Sequence, residues 1–149
     1  MNLSKWKWVM MVTVAMLLSV MPIAAGSPFS DGLDSGDGER ITVEELKQML
    51  AKNQPVTIID VRGSDYDSSD SKIKGAIRVP HGDMVAHVKD IPRDRPVVTY
   101  CSCSSDGGAL SAAQVLRENG FKNARALKGG WPAWNEAGGP IEPKITPAN

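Results

Sequence analysis

From Ile41 onward the chain switches repeatedly between two hydrophobic periods. Thr42 and Glu45 have the spacing of a capping box ahead of Leu46, Met49 and Leu50, which predicts a helix of about ten residues ending near Asn53. Residues 56–61 (VTIIDV) form a continuous β-branched run after Pro55, the pattern of a strand buried on both faces. Further short strands are expected at 76–79, stopped by Pro80, and at 97–100, preceded by Pro96, with a short helix around 83–88 between them. Residues 109–118 (ALSAAQVLRE) read as a helix terminated by Gly120. A short strand at 124–127, a turn at Gly129 and Gly130, and a helix starting at Pro132 and ended by Gly138 and Gly139 complete the pattern. Strands alternating with helices imply an α/β fold: a mostly parallel sheet of about five short strands, covered by helices on both faces.

The first part of the chain does not share this pattern. Lys5 and Lys7 precede an apolar run from Trp8 to Ala25, interrupted by Thr13, Ser19 and Pro22, with small residues at Ala24, Ala25 and Gly26. Residues 1–26 therefore read as a signal peptide, with an uncleaved membrane anchor as the alternative because the run approaches the roughly 20 residues that span a bilayer. Pro22 and the small-residue cluster favour cleavage. Either way the domain is expected outside the cytoplasm, periplasmic or extracellular. Residues 27–39 (SPFSDGLDSGDGE) read as a flexible linker with too little apolar surface to order itself. Asp31, Asp34 and Asp37 do not match the alternation of a calcium loop, so they are read as solvated. That leaves one domain at 40–143 and a C-terminal tail at 144–149.

Charge narrows the partners. The 149 residues carry 17 basic and 17 acidic side chains, so no basic excess is present to hold nucleic acid by counterion release. A membrane is a partner only if the leader is retained.

The candidate chemistry lies in the two cysteines, Cys101 and Cys103, which directly follow the apolar run VVTY. In an open parallel sheet the working site lies at the carboxyl ends of the strands, where Cys101 falls. Between Cys101 and Ser111 (CSCSSDGGALS) there is no Arg, Lys or His, and the single charge is Asp106.

IIDVR, Tyr66, KIKGAIRVP, VVTYC and LKGGWPAWNEAGGPIEP follow one another in the order and spacing of a single-domain rhodanese, and the resemblance runs from about Ile41 to Pro143. It implies the three-layer rhodanese-like fold and a sulfurtransferase that holds sulfane sulfur as a persulfide on a cysteine, with no cofactor. It places that cysteine at Cys101, cradled by the backbone N–H groups of Ser102, Ser104, Ser105, Asp106, Gly107, Gly108 and Ser111, which are taken as the substrate-binding residues. The partners implied are a small sulfur donor and a thiol acceptor. In the family the loop ends in Arg followed by Ser; here Ser111 matches the helix-opening Ser about four residues late, and Leu110 stands where the Arg would. Losing charge-assisted contacts of about 1.5–3 kcal/mol each implies weak thiosulfate:cyanide transfer.

Counting back from Ser111, Cys103 is a rival nucleophile. For the pair, three readings stay open: nucleophile with resolving thiol, structural disulfide, and soft-metal site; no metal is assigned. His81 could face the same rim as Cys101, although a surface-loop position is favoured, and His87 is read as solvated. Asp60 and Arg62 are read as a buried structural pair, Lys72 as a loop residue, and Trp131 and Trp134 as core. The alternative function is a non-catalytic rhodanese-fold module that binds a partner or senses redox state through Cys101 and Cys103.

Overall fold

A computed structural model describes residues 38–144. The leader at 1–26, nearly all of the linker at 27–39 and the tail beyond Lys144 lie outside the described residues. In chain order the elements are β1 (Arg40–Ile41), α1 (Val43–Ala51), β2 (Thr57–Asp60), β3 (Ser71–Ile73), β4 (Ile77–Arg78), α2 (Met84–His87), β5 (Val97–Tyr100), α3 (Gly107–Glu118), β6 (Ala124–Leu127), α4 (Gly130–Glu136) and β7 (Ile141–Pro143). Single 3-10 turns occupy Ser64–Tyr66, His81–Asp83 and Val88–Asp90.

The central sheet has the order β1-β6-β5-β2-β4 with every neighbouring pair parallel. This is the α/β class expected. Its two edge strands are only two residues long, which limits the unpaired backbone offered to other chains.

Side-chain alternation along the two central strands divides the core into two layers. Ile58, Val98 and Tyr100 face Val43, Leu46 and Met49 of α1 and Trp134 of α4. Ile59, Val97 and Cys101 face Met84 of α2 and Ala109, Ala112, Ala113 and Leu116 of α3. Fully buried side chains such as Ile59 and Leu116 each contribute about 1.5–3 kcal/mol. Parity along β5 thus fixes Cys101, the residue after the strand, on the α3 side.

α1 begins as the capping box predicts. Thr42 Oγ1 accepts from Glu45 N at 3.1 Å, and Glu45 Oε2 accepts from Thr42 N at 2.9 Å. Thr42→Ala is expected to lower stability by about 1 kcal/mol. The measurement is the urea midpoint at unchanged m-value; no shift would show that the box is redundant with α1 packing.

Several boundaries differ from expectation. β4 keeps only two of the four residues expected at 76–79, and the helix expected at 83–88 is one α-turn, α2, flanked by 3-10 turns. α3 starts two residues before Ala109. α4 starts at Gly130, so Pro132 is its third residue rather than its first; a missing N–H costs little there because N–H groups of the first turn have no intrahelical acceptor. Lys72 is not in a loop. It lies in β3, which pairs antiparallel with β7, and its Nζ meets Glu142 Oε1 at 2.7 Å directly across the pair.

Candidate active site

The site is built at the carboxyl ends of β2 and β5, on a buried polar platform. Asp60 ends β2, and its carboxylate accepts from Arg62 N at 3.1 Å, Arg62 Nε at 3.0 Å, Arg62 Nη2 at 2.7 Å and Tyr100 Oη at 2.6 Å. Arg62 also donates to Ser69 Oγ at 3.1 Å and to Ser71 O at 3.0 Å, and its guanidinium lies 4.5 Å from the Trp131 ring centroid. Burial opposes the Arg62 charge, but the hydrogen bonds and charge of Asp60 prevail and hold its pKa above the ordinary value. The pair is buried and structural, as expected, and the Arg62 donors go to Asp60, Ser69 and Ser71. Arg78, the next cation along this edge, donates to Asp60 O at 2.9 Å and stacks over Tyr66 at 4.4 Å.

Above the platform sits Cys101, 4% exposed. Its carbonyl accepts from Trp131 N at 2.8 Å, which ties the end of β5 to the start of α4. The Trp131 ring is stacked on Tyr100 with centroids 6.1 Å apart and serves the platform, whereas Trp134 is fully buried in the core. A Cβ built on Gly108 would lie 3.7 Å from Cys101 Cβ, so Cys101 rests against the first turn of α3. The same point lies 3.8 Å from His81 Cδ2, which places His81, an exposed residue, on the rim of the cysteine loop. His87 is half exposed and 3.8 Å from Asp90.

Cys101 and Cys103 form a disulfide with Cα atoms 5.6 Å apart, within the ordinary range for such bonds. Cys103, Ser104 and Ser105 are exposed, and a turn closes them through Asp106 N donating to Cys103 O at 3.2 Å. Ser102 is half-buried. Its hydroxyl donates to the Asp65 carboxylate, which holds Asp65 below the usual carboxylate range. Among the described residues no group of three or more His, Cys, Asp or Glu is gathered to hold a metal ion.

Asp106 is turned inward, with left-handed backbone at φ 56°. Its Oδ2 accepts from Gly129 N at 3.2 Å and lies 3.6 Å from Arg40 Nε, while its buried Oδ1 has no hydrogen-bond partner among the described residues. As N-cap of α3 it makes no side-chain capping bond, so the N–H groups of Gly107 and Gly108 at the helix start are not satisfied by it. Gly108, which has no side chain, lies against Cys101, so the start of α3 is the part of the loop beside the sulfur-bearing residue.

Ser111 does not open the helix; it is the fifth residue of α3 and is exposed. Leu110 is partly buried and packs against the core cluster that holds Ala109, Ala113 and Cys101, so this position offers the loop an apolar side chain and no charge. The structure therefore gathers Cys101, Ser102, Cys103, Gly107 and Gly108 and sets Ser111 apart. Asp65, Arg40 and the Trp131 amide also hold the loop. No signal in the sequence marked them, because each reaches it from a distant segment.

A family model described as a rhodanese-like domain matches residues 42–137. A sulfurtransferase of Allochromatium vinosum is 32% identical over 101 residues, covering 68% of this chain and 92% of that protein. A thiosulfate sulfurtransferase of Shewanella oneidensis is 32% identical over 100 residues, covering 66% and 94%. The solution structure of a rhodanese-like domain from Anabaena superposes with a TM-score of 0.61 at 31% identity, covering 74% of this chain and 86% of that one.

Proposed function

This chain belongs to the rhodanese-like family, and from that premise we propose that it moves sulfane sulfur as a persulfide on Cys101. Its sulfurtransferase relatives support a sulfurtransferase-like role; the observation that carries the finer reading is Cys101 held against an uncapped helix start at the end of β5. The working form is the reduced one, so a dithiol, or two thiols in turn, must first reduce the Cys101–Cys103 bond and leave as a disulfide. The Cys101 thiolate then attacks the terminal sulfur of a polysulfide or organic persulfide. A Cys101–sulfur bond forms, the donor's S–S bond breaks, and the electron pair leaves on the donor's remaining sulfur. An acceptor thiolate takes the outer sulfur and returns Cys101 as thiolate. Alternatively, Cys103 attacks the Cys101 sulfur, closes the disulfide and expels hydrosulfide. The helix dipole and the Gly107 and Gly108 N–H groups favour the anionic sulfur at each stage.

Thiosulfate is a poor donor in this reading. The loop has no cation, Leu110 offers only apolar surface, and Arg62 and Arg78 are bonded to Asp60. The leader at 1–26 supports an exported protein, in which formation of the pair's disulfide is expected.

Intact mass of the reduced protein after incubation with polysulfide or thiosulfate tests the assignment. Cys103→Ser is expected to gain one sulfur from polysulfide and Cys101→Ser none, while the wild type gains one sulfur that Cys103 can discharge by closing the disulfide. Thiosulfate is expected to load at least about tenfold more slowly. Sulfur gained by Cys101→Ser, or by no variant at all, would overturn the persulfide reading.

A further inference from the structure

The two sulfurs of the disulfide are unequal. Cys101 is 4% exposed, with α3 against its side chain and α4 bonded to its carbonyl, whereas Cys103 lies in the exposed turn with Ser104 and Ser105. A nucleophile arriving from solvent meets Cys103. Displacement at Cys103 puts the departing charge on Cys101, the one of the two that rests on the N-terminal turn of a 12-residue helix with no side-chain cap. Accessible target and stabilised leaving group are thus arranged on opposite ends of one bond.

From this asymmetry we propose that the oxidised protein is a thiol–disulfide exchange catalyst for dithiol substrates, entered through Cys103. A substrate thiolate attacks the Cys103 sulfur; a substrate–Cys103 disulfide forms, the Cys101–Cys103 bond breaks, and its electron pair stays on Cys101 as thiolate. The substrate's second thiolate then attacks the substrate sulfur of that mixed disulfide, completing a substrate disulfide and releasing Cys103 as thiolate. The substrate has lost two electrons and two protons, and the protein has gained the two electrons as a dithiol. A low-molecular-weight disulfide, itself reduced to two thiols, restores the Cys101–Cys103 bond by the reverse sequence. The loop suits this role because it carries no basic residue to select an anion and its exposed side chains are small hydroxyls. Asp106 keeps its charge turned inward beside Arg40 and the Gly129 N–H.

The test uses the oxidised wild-type chain with reduced glutathione in less than equimolar amount, quenched in acid, alkylated and fragmented to locate the glutathionyl group. At least about tenfold more glutathione is expected on Cys103 than on Cys101, with the alkyl group on Cys101. In parallel, a dithiol peptide with oxidised glutathione as terminal oxidant is expected to oxidise faster with wild type and at the uncatalysed rate with Cys103→Ser. Equal labelling, preferential labelling of Cys101, or a disulfide that glutathione leaves intact would overturn the proposal. Sulfur loading of the pre-reduced Cys103→Ser protein reports the persulfide reading separately, so either can fail while the other stands.

Discussion

Asp60→Ala is expected to lower the stability of the domain by about 3–5 kcal/mol, the range for removing one partner of a buried ion pair. Asp60 is fully buried and Arg62 is 1% exposed. The deletion leaves the Arg62 cation among Trp131, Tyr66 and Tyr100 without its bonded carboxylate, and leaves the Tyr100 hydroxyl without its acceptor. Burial and then the neighbouring Asp60 charge push the Tyr100 phenol well above its ordinary value, so it stays a donor at neutral pH and needs an acceptor there. For a domain whose total stability is of the order of 5–15 kcal/mol, the loss is a large fraction. Urea unfolding at constant m-value measures it. Replacing both partners by apolar residues, Asp60→Leu with Arg62→Met, is expected to recover much of the loss, because it removes the unpaired charge together with the pair. A loss below about 1 kcal/mol in Asp60→Ala, the level of a surface ion pair, would show that solvent reaches Arg62.

The platform also explains how much of this protein can be read from its sequence. Local signals were sufficient wherever the determining contacts are local: the Thr42–Glu45 box starts α1, the β-branched runs become β2 and β5, and Gly120 follows α3 with φ +91°. Parity along VVTYC, once the sheet is known to be covered on both faces, even fixes the side on which Cys101 lies. The β3–β7 pair leaves no mark in the sequence because each strand has three residues, too few for a period to register, and because its register is set between segments far apart in the chain. The family resemblance matches Ser111 to a helix-opening Ser and the local pattern starts the helix at Ala109, yet Asp106, held by Gly129 and Arg40, lets the helix begin at Gly107. Spacing alone does not carry that information: where a helix starts depends here on a left-handed aspartate whose partners are in β1 and before α4.

Gly130→Ala is expected to be the most damaging change near the cysteines, by about 3 kcal/mol or more when backbone strain and overpacking are combined. Gly130 has φ +51°, and a Cβ built on it falls 2.2 Å from the Cys101 carbonyl oxygen and 3.2 Å from its carbonyl carbon. That carbonyl is the acceptor for Trp131 N, so the end of β5 and the start of α4 cannot separate to admit a methyl group without losing the bond. Gly138→Ala supplies the control. Gly138 has φ +61° but nothing within 4 Å of its built Cβ, so it should show only the left-handed backbone cost of about 1–2 kcal/mol. The difference between the two urea midpoints isolates the collision with Cys101. Gly130→Ala should also alter the cysteine chemistry in whatever fraction remains folded, since it moves Cys101 relative to Gly107 and Gly108, and this is read as slower sulfur loading. Equal effects of the two substitutions would mean that the loop shifts freely. Cys101 would then owe its position to β5 alone, and the persulfide cradle would have to form after the donor arrives.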